Sequence, residues 1–135
     1  MNKDIVLNKS AIIERCIARV HEEYEGREEN LENYTKQDSI ILNIQRAIEA
    51  SIDLAMHIVS ENAMGIPQNT RDAFELLYKN DLIDLELKNR LKAMIGFRNI
   101  AVHEYQSLDL EIVKNIINKN LADIIEFKEK IIKLL

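Results

Sequence analysis

A single proline and three glycines in 135 residues leave this chain few ways to make tight turns. Hairpins and short strands draw on those residues, which preset a turn or supply positive φ. Helix interiors exclude them, because both lower helix stability there. Gly65-Ile66-Pro67 is the one clear break. The chain therefore reads as a few long helices with short connections. Its length suits one domain, residues 1–135, around one core. With 47% apolar and 30% charged residues it is expected to fold rather than stay disordered.

Apolar residues spaced at three and four positions place the helices. Ile5, Ile12, Ile13, Cys16, Ile17 and Val20 mark a stripe over residues 4–24, ended by the glutamate-rich stretch around Gly26. Thr35 followed by Asp38 reads as a capping box opening a helix to about residue 63. Ile41, Ile44, Ile48, Ile52, Ala55, Met56 and Val59 form its buried face. Asn69 or Thr70 starts a short helix holding Phe74, Leu77 and Tyr78. Asp84 caps a fourth helix with Leu87, Leu91, Met94 and Ile95 inside. Asp109 caps a fifth, carrying Val113, Ile116, Ile117, Leu121, Ile124, Ile125 and Ile131. The predicted fold is all-α: an up-and-down helical bundle of four long helices plus a short helix.

No apolar stretch approaches the roughly 20 residues that span a bilayer. Met1-Asn2-Lys3-Asp4 lacks the apolar run of an export signal. Cys16, the only cysteine, has no partner for an internal disulfide and lies on an apolar stripe as a core residue. A cytoplasmic protein with no membrane association is expected.

The net charge of −5 argues against broad, charge-driven binding to nucleic acid. Its distribution is uneven. Residues 22–32 hold six glutamates against Arg27, whereas residues 88–105 hold Lys88, Arg90, Lys92 and Arg98 against Glu104. A local cationic site on an acidic body is compatible with that pattern. The Lys128 to Lys133 stretch reads as the solvated face of a terminal helix, and His21 as a solvated helix end. Arg71 has two readings, a nucleic-acid contact or an ion pair with Asp72 or Glu75.

Gly96-Phe97-Arg98-Asn99-Ile100-Ala101-Val102-His103-Glu104-Tyr105 carries the densest chemistry. A guanidinium can hold two phosphate oxygens with its planar fork. An imidazole moves protons near neutral pH. Together they suit metal-independent cleavage of RNA, whose 2′-OH is the internal nucleophile. On a straight helix five residues turn by about 500°, so Arg98 and His103 point about 140° apart. Either the helix ends before His103, or a second copy completes the site. Tyr105, seven residues after Arg98, shares its face on a continuous helix. Such a pair also occurs by chance as a surface ion pair.

A polar row, Gln45, Glu49, Asp53 and His57, runs down the second helix at steps of four. Two carboxylate and imidazole ligands one turn apart fall short of the three a catalytic metal usually takes from protein, so no metal and no cofactor is expected. The row reads as a polar seam hydrogen-bonded across helices or at the dimer contact, with Glu49 and Asp53 as candidates for lining the cleft beneath Arg98.

The run from Arg98 through Asn99 to His103 resembles the signature of the HEPN superfamily of helical ribonucleases, and its extension to Tyr105 resembles the HepT-like toxins. The likeness covers nearly the whole chain, including Gln37-Asp38-Ser39-Ile40-Ile41-Leu42-Asn43, Gly65-Ile66-Pro67-Gln68 and Thr70-Arg71-Asp72-Ala73-Phe74. It implies an HEPN-like fold and an endoribonuclease toxin acting as a homodimer, with Arg98 and His103 catalytic and Asn99 in support. It also implies an MntA-like nucleotidyltransferase antitoxin that transfers AMP to Tyr105, within a larger toxin–antitoxin assembly. The competing reading is a non-catalytic nucleotide-binding module serving such a nucleotidyltransferase.

Overall fold

The computed structural model describes residues 2–135, all in helices, turns and short connections. The first helix, α1 (Lys3–Tyr24), starts at Asn2, whose side chain accepts hydrogen bonds from the N–H groups of Asp4 and Ile5. It ends where Glu25 and Gly26 turn into the left-handed region, at φ 55° and 68°. Val6, not Ile5, takes the first buried position of its stripe; Ile5 is exposed.

The expected capping box at Thr35 does not form. A short 3₁₀ turn, Glu28–Glu32, leads instead to Asn33, whose side chain accepts from the Lys36 N–H at 3.1 Å. α2 (Tyr34–Glu61) therefore begins one residue before Thr35, which lies within its first turn. That shift leaves the Asp38 carboxylate free for a partner elsewhere. α3 (Thr70–Lys79) is capped by Asn69 at 3.0 Å, and α4 (Leu85–His103) by Asp84 at 2.8 Å. Both match the sequence reading.

After a 3₁₀ turn at Tyr105–Ser107, Asp109 caps α5 (Leu110–Asn115). The expected fifth helix then continues through a π-helical turn, Ile116–Asn120, into α6 (Leu121–Ile132). Ile116 and Leu121 are five residues apart, and the wider turn lets both remain buried.

α2 sits at the centre and packs against α1, α3, α4 and α6. Ile40, Ile44, Leu54 and Ile58 of α2 are fully buried with Ile13, Leu77, Ile95 and Ile124 from those neighbours. Phe74 meets Phe127 edge to face, ring centres 5.5 Å apart. Glu75 holds α3 to α4 by accepting from Lys88 at 2.9 Å and Lys92 at 3.2 Å. Those two hydrogen bonds lower its pKa. Lys88 is itself buried, with its ammonium 4.3 Å above the Tyr78 ring. Lys128 also departs from the sequence reading. It is buried and pairs with Glu14 of α1, while Glu129 and Lys133 are exposed and Lys130 is half-exposed. No helix is long and apolar enough to cross a membrane among the described residues.

Candidate functional site

α4 stays helical through His103, the last residue of the element. Arg98 and His103 thus project from one regular helix, about 140° apart. Their surroundings follow from that rotation. Arg98 shares its face with Met94, Ile95 and Ala101, which are all buried, so its stem is half-buried. Its Nε–H is buried and has no hydrogen-bond partner. An unpaired buried donor of this kind costs about 1–3 kcal/mol, which an incoming phosphate oxygen would offset. His103 shares its face with Asn99 and Ile100 and stands exposed at the carboxyl end of α4. On this helix the two groups are therefore directed to different sides.

Beyond His103 the backbone leaves the helix at Glu104, with φ −141° and ψ 51°. Tyr105 therefore lies in the following 3₁₀ turn, and the seven-residue spacing from Arg98 does not put both on one helical face. Its hydroxyl donates a hydrogen bond to Asp38 of α2. Partial burial of the phenol, and then the Asp38 carboxylate beside it, hold the Tyr105 pKa above its ordinary value. Tyr105 lines a hollow of about 430 Å³ with Tyr34, Gln37, Asp38 and Gln106. Tyr34 is 79% exposed there.

The neutral phenol is thus favoured in the folded chain. Stability from this source is fully present below pH 10, the ordinary tyrosine value, and is lost as pH rises toward the higher folded value. Asp38→Asn is expected to move the Tyr105 ionisation to lower pH. Phenolate absorbance, taken as the difference from a Tyr105→Phe protein, measures it; an unchanged titration would show that Asp38 has no influence.

The polar row of α2 separates into local pairs. Gln45 donates to Glu49 at 3.1 Å, Lys9 of α1 meets Asp53 at 3.0 Å, and His57 lies 3.7 Å from Glu61. Among the described residues Asp53 alone of the four pairs with another helix of the same chain. Glu49 and Asp53 line a groove of about 600 Å³ whose walls come from α1 and α2 alone, rather than a cleft beneath Arg98. Among the described residues Arg71 is bridged to neither Asp72 nor Glu75, the second of its two readings. Asp72 accepts from the Gln68 N–H, Glu75 is taken by the two lysines, and the Arg71 guanidinium lies over Gly96 of α4. Among the described residues, no three His, Cys, Asp or Glu side chains converge as a metal site.

Apart from its place in the family-like run Gln37 to Asn43, Asp38 was legible in the sequence as a capping partner. Nothing in residue spacing connects positions 38 and 105, because the pairing depends on how the end of α4 crosses the start of α2.

A helical bundle with an unpaired arginine, an exposed histidine five residues later and a tyrosine two beyond has the features of the HEPN ribonuclease class. Residues 13–131 match the family model described as Ribonuclease HepT-like, and the chain belongs to that family. It is 48% identical to the mRNA nuclease HepT of Shewanella oneidensis over 124 residues, covering 92% of this chain and 93% of that protein. A solved toxin–antitoxin structure with AMP-PNP superposes with a TM-score of 0.93 at 45% identity, covering 98% of this chain and 100% of that one. A tri-AMPylated Shewanella oneidensis HEPN toxin in complex with its MNT antitoxin gives a TM-score of 0.91 at 46% identity, with both chains covered in full.

Proposed function

We propose that this chain is the cytoplasmic endoribonuclease toxin of a toxin–antitoxin pair, cutting RNA at a site shared by two copies and silenced by adenylylation of Tyr105. The observation that carries the reading is the unpaired, buried Nε–H of Arg98 on the same helix as an exposed His103. The 48% identity to an mRNA nuclease supports the reaction class.

Two protomers related by a two-fold axis can bring Arg98 of one and His103 of its partner to one phosphate, which a single straight helix does not allow. Val102, 47% exposed and one turn beyond Arg98, offers apolar surface for that contact, as do Ile100 and Ile112 nearby. In the site, His103 takes the proton from the ribose 2′-OH. The oxygen attacks phosphorus, Arg98 neutralises the five-coordinate charge, and the 5′-oxygen leaves with a proton drawn from water, the imidazolium returning its own to solvent. Asn99, half-buried one helical turn before His103, supports the pair in this reading. The products are a 2′,3′-cyclic phosphate and a 5′-OH. No step needs a metal ion.

Adenylylation uses the other end of the motif. The Tyr105 oxygen attacks the α-phosphorus of ATP held by the nucleotidyltransferase antitoxin, and pyrophosphate leaves. Asp38 already accepts the phenolic hydrogen and can take that proton. The adenylate then sets a bulky anion two residues from His103, where it blocks and repels an RNA phosphate.

Purified protein incubated with RNA in EDTA tests the proposal. Fragments ending in cyclic phosphate, formed by wild type and lost in His103→Ala, are the expected outcome. ATP binding with intact RNA would instead favour the non-catalytic nucleotide-binding module.

A further inference from the structure

A second set of cations is gathered away from the Arg98 and His103 segment. Arg15 and Arg19 of α1 and Arg46 of α2 line the groove between those helices, with Cys16 between them. Burial raises the Cys16 pKa, and the charges of Arg15, Arg46 and Arg19 act against that rise. Of the groove's carboxylates Asp53 pairs with Lys9, while Glu49 and Asp38 accept from the neutral groups of Gln45 and Tyr105 and keep their charge, so four cations line the groove with three anions. Arg19 has only an exposed contact to Glu22, at 3.6 Å. In a chain of net charge −5 this groove carries one positive charge in excess, with its three arginines toward the Arg15, Arg19 and Arg46 end.

The groove is not purely ionic. Ile12 and the exposed Leu42 give it an apolar lining. It spans α2 from Asp38 to Asp53, about 22 Å along the helix. Asp38 also borders the Tyr105 hollow, so the two depressions adjoin. On the rim of that hollow Tyr34 exposes nearly its whole ring, with no structural role to account for it. Guanidiniums spaced along a groove beside an exposed aromatic ring are the elements that hold a single nucleic-acid strand: phosphates on cations, a base on the ring.

We propose that the α1–α2 groove and the Tyr34 ring form a track for single-stranded RNA, holding the strand on one side of the phosphate to be cut. The three arginines neutralise its backbone and Tyr34 stacks on one base. The track rests on the ribonuclease reading above. It also gives an acidic protein a means of holding a polyanion.

Binding of a fluorescent oligoadenylate to His103→Ala protein, which does not consume it, tests the track across a range of salt. Replacing Arg15, Arg19 and Arg46 with glutamine is expected to weaken binding at low salt. It should also reduce the slope of log affinity against log salt by about two, at roughly 0.7 per phosphate for single strands. Lysine at the same positions should restore most of the slope. Tyr34→Ala is expected to weaken binding by about 5- to 100-fold with the slope unchanged. All four side chains are exposed, so the core is left intact.

Glutamine variants with wild-type affinity and slope would overturn the track, even if the protein with His103 intact still cuts RNA. Variants that hold RNA normally but lose the antitoxin would overturn it too, and would mark the groove as a protein-docking face. A parent protein that neither binds nor cuts RNA would overturn the ribonuclease reading as well.

Discussion

Replacing His103 with alanine is expected to lower RNA cleavage by about 10²- to 10⁴-fold, the range spanned by loss of a positioned acid–base group. Folding stability changes little, because the side chain is exposed at the last residue of α4 and fills no part of the core. Single-turnover cleavage of a labelled RNA, with thermal unfolding of the same samples, separates the two effects. The same comparison is less clean at Arg98. Its stem lies among buried Met94, Ile95 and Ala101, so truncation there also removes packing. Undiminished cleavage by the His103→Ala protein would remove the imidazole from the mechanism.

Tyr105→Phe is expected to give a toxin that its antitoxin cannot modify. Phenylalanine keeps the ring and removes the only atom able to attack ATP at this position. With antitoxin and ATP, the wild-type protein gains adenylate mass and loses cleavage, whereas the variant gains none and stays active. In cells the difference is between growth and arrest. The substitution also removes the hydrogen bond to Asp38, at a cost of about 0.5–1.5 kcal/mol, too little to unfold the domain. Full neutralisation of the variant, with AMP found on another residue, would move the switch away from Tyr105.

The helices were legible because their signals are local. Asn69, Asp84 and Asp109 each cap the backbone within three residues of themselves, so the sequence carries the whole interaction. Thr35 misled because Asn33, two residues earlier, offers an equally good acceptor and the 3₁₀ turn before it delivers the chain to Asn33 first. Lys128 misled for a different reason. Its burial depends on Glu14, more than a hundred residues away, and a stretch of terminal lysines gives no sign of that pairing. The 140° between Arg98 and His103 followed from helix geometry alone, once α4 was found to reach His103. The same geometry did not carry on to Tyr105, because a single non-helical residue, Glu104, resets the direction of everything after it. Glu49 and Asp53 were placed on the right helix, but spacing on one helix does not say which neighbour it faces. They line the groove with α1.

The central claim is that one cleavage site takes its guanidinium and its imidazole from different chains. Mixing Arg98→Ala protein with His103→Ala protein after subunit exchange tests it most directly. Each variant alone is nearly inactive. Random pairing makes half of the dimers mixed, and each mixed dimer holds one intact site out of two. The mixture should therefore recover about a quarter of wild-type activity. A mixture no more active than the two variants measured separately, with exchange confirmed, would contradict the shared site.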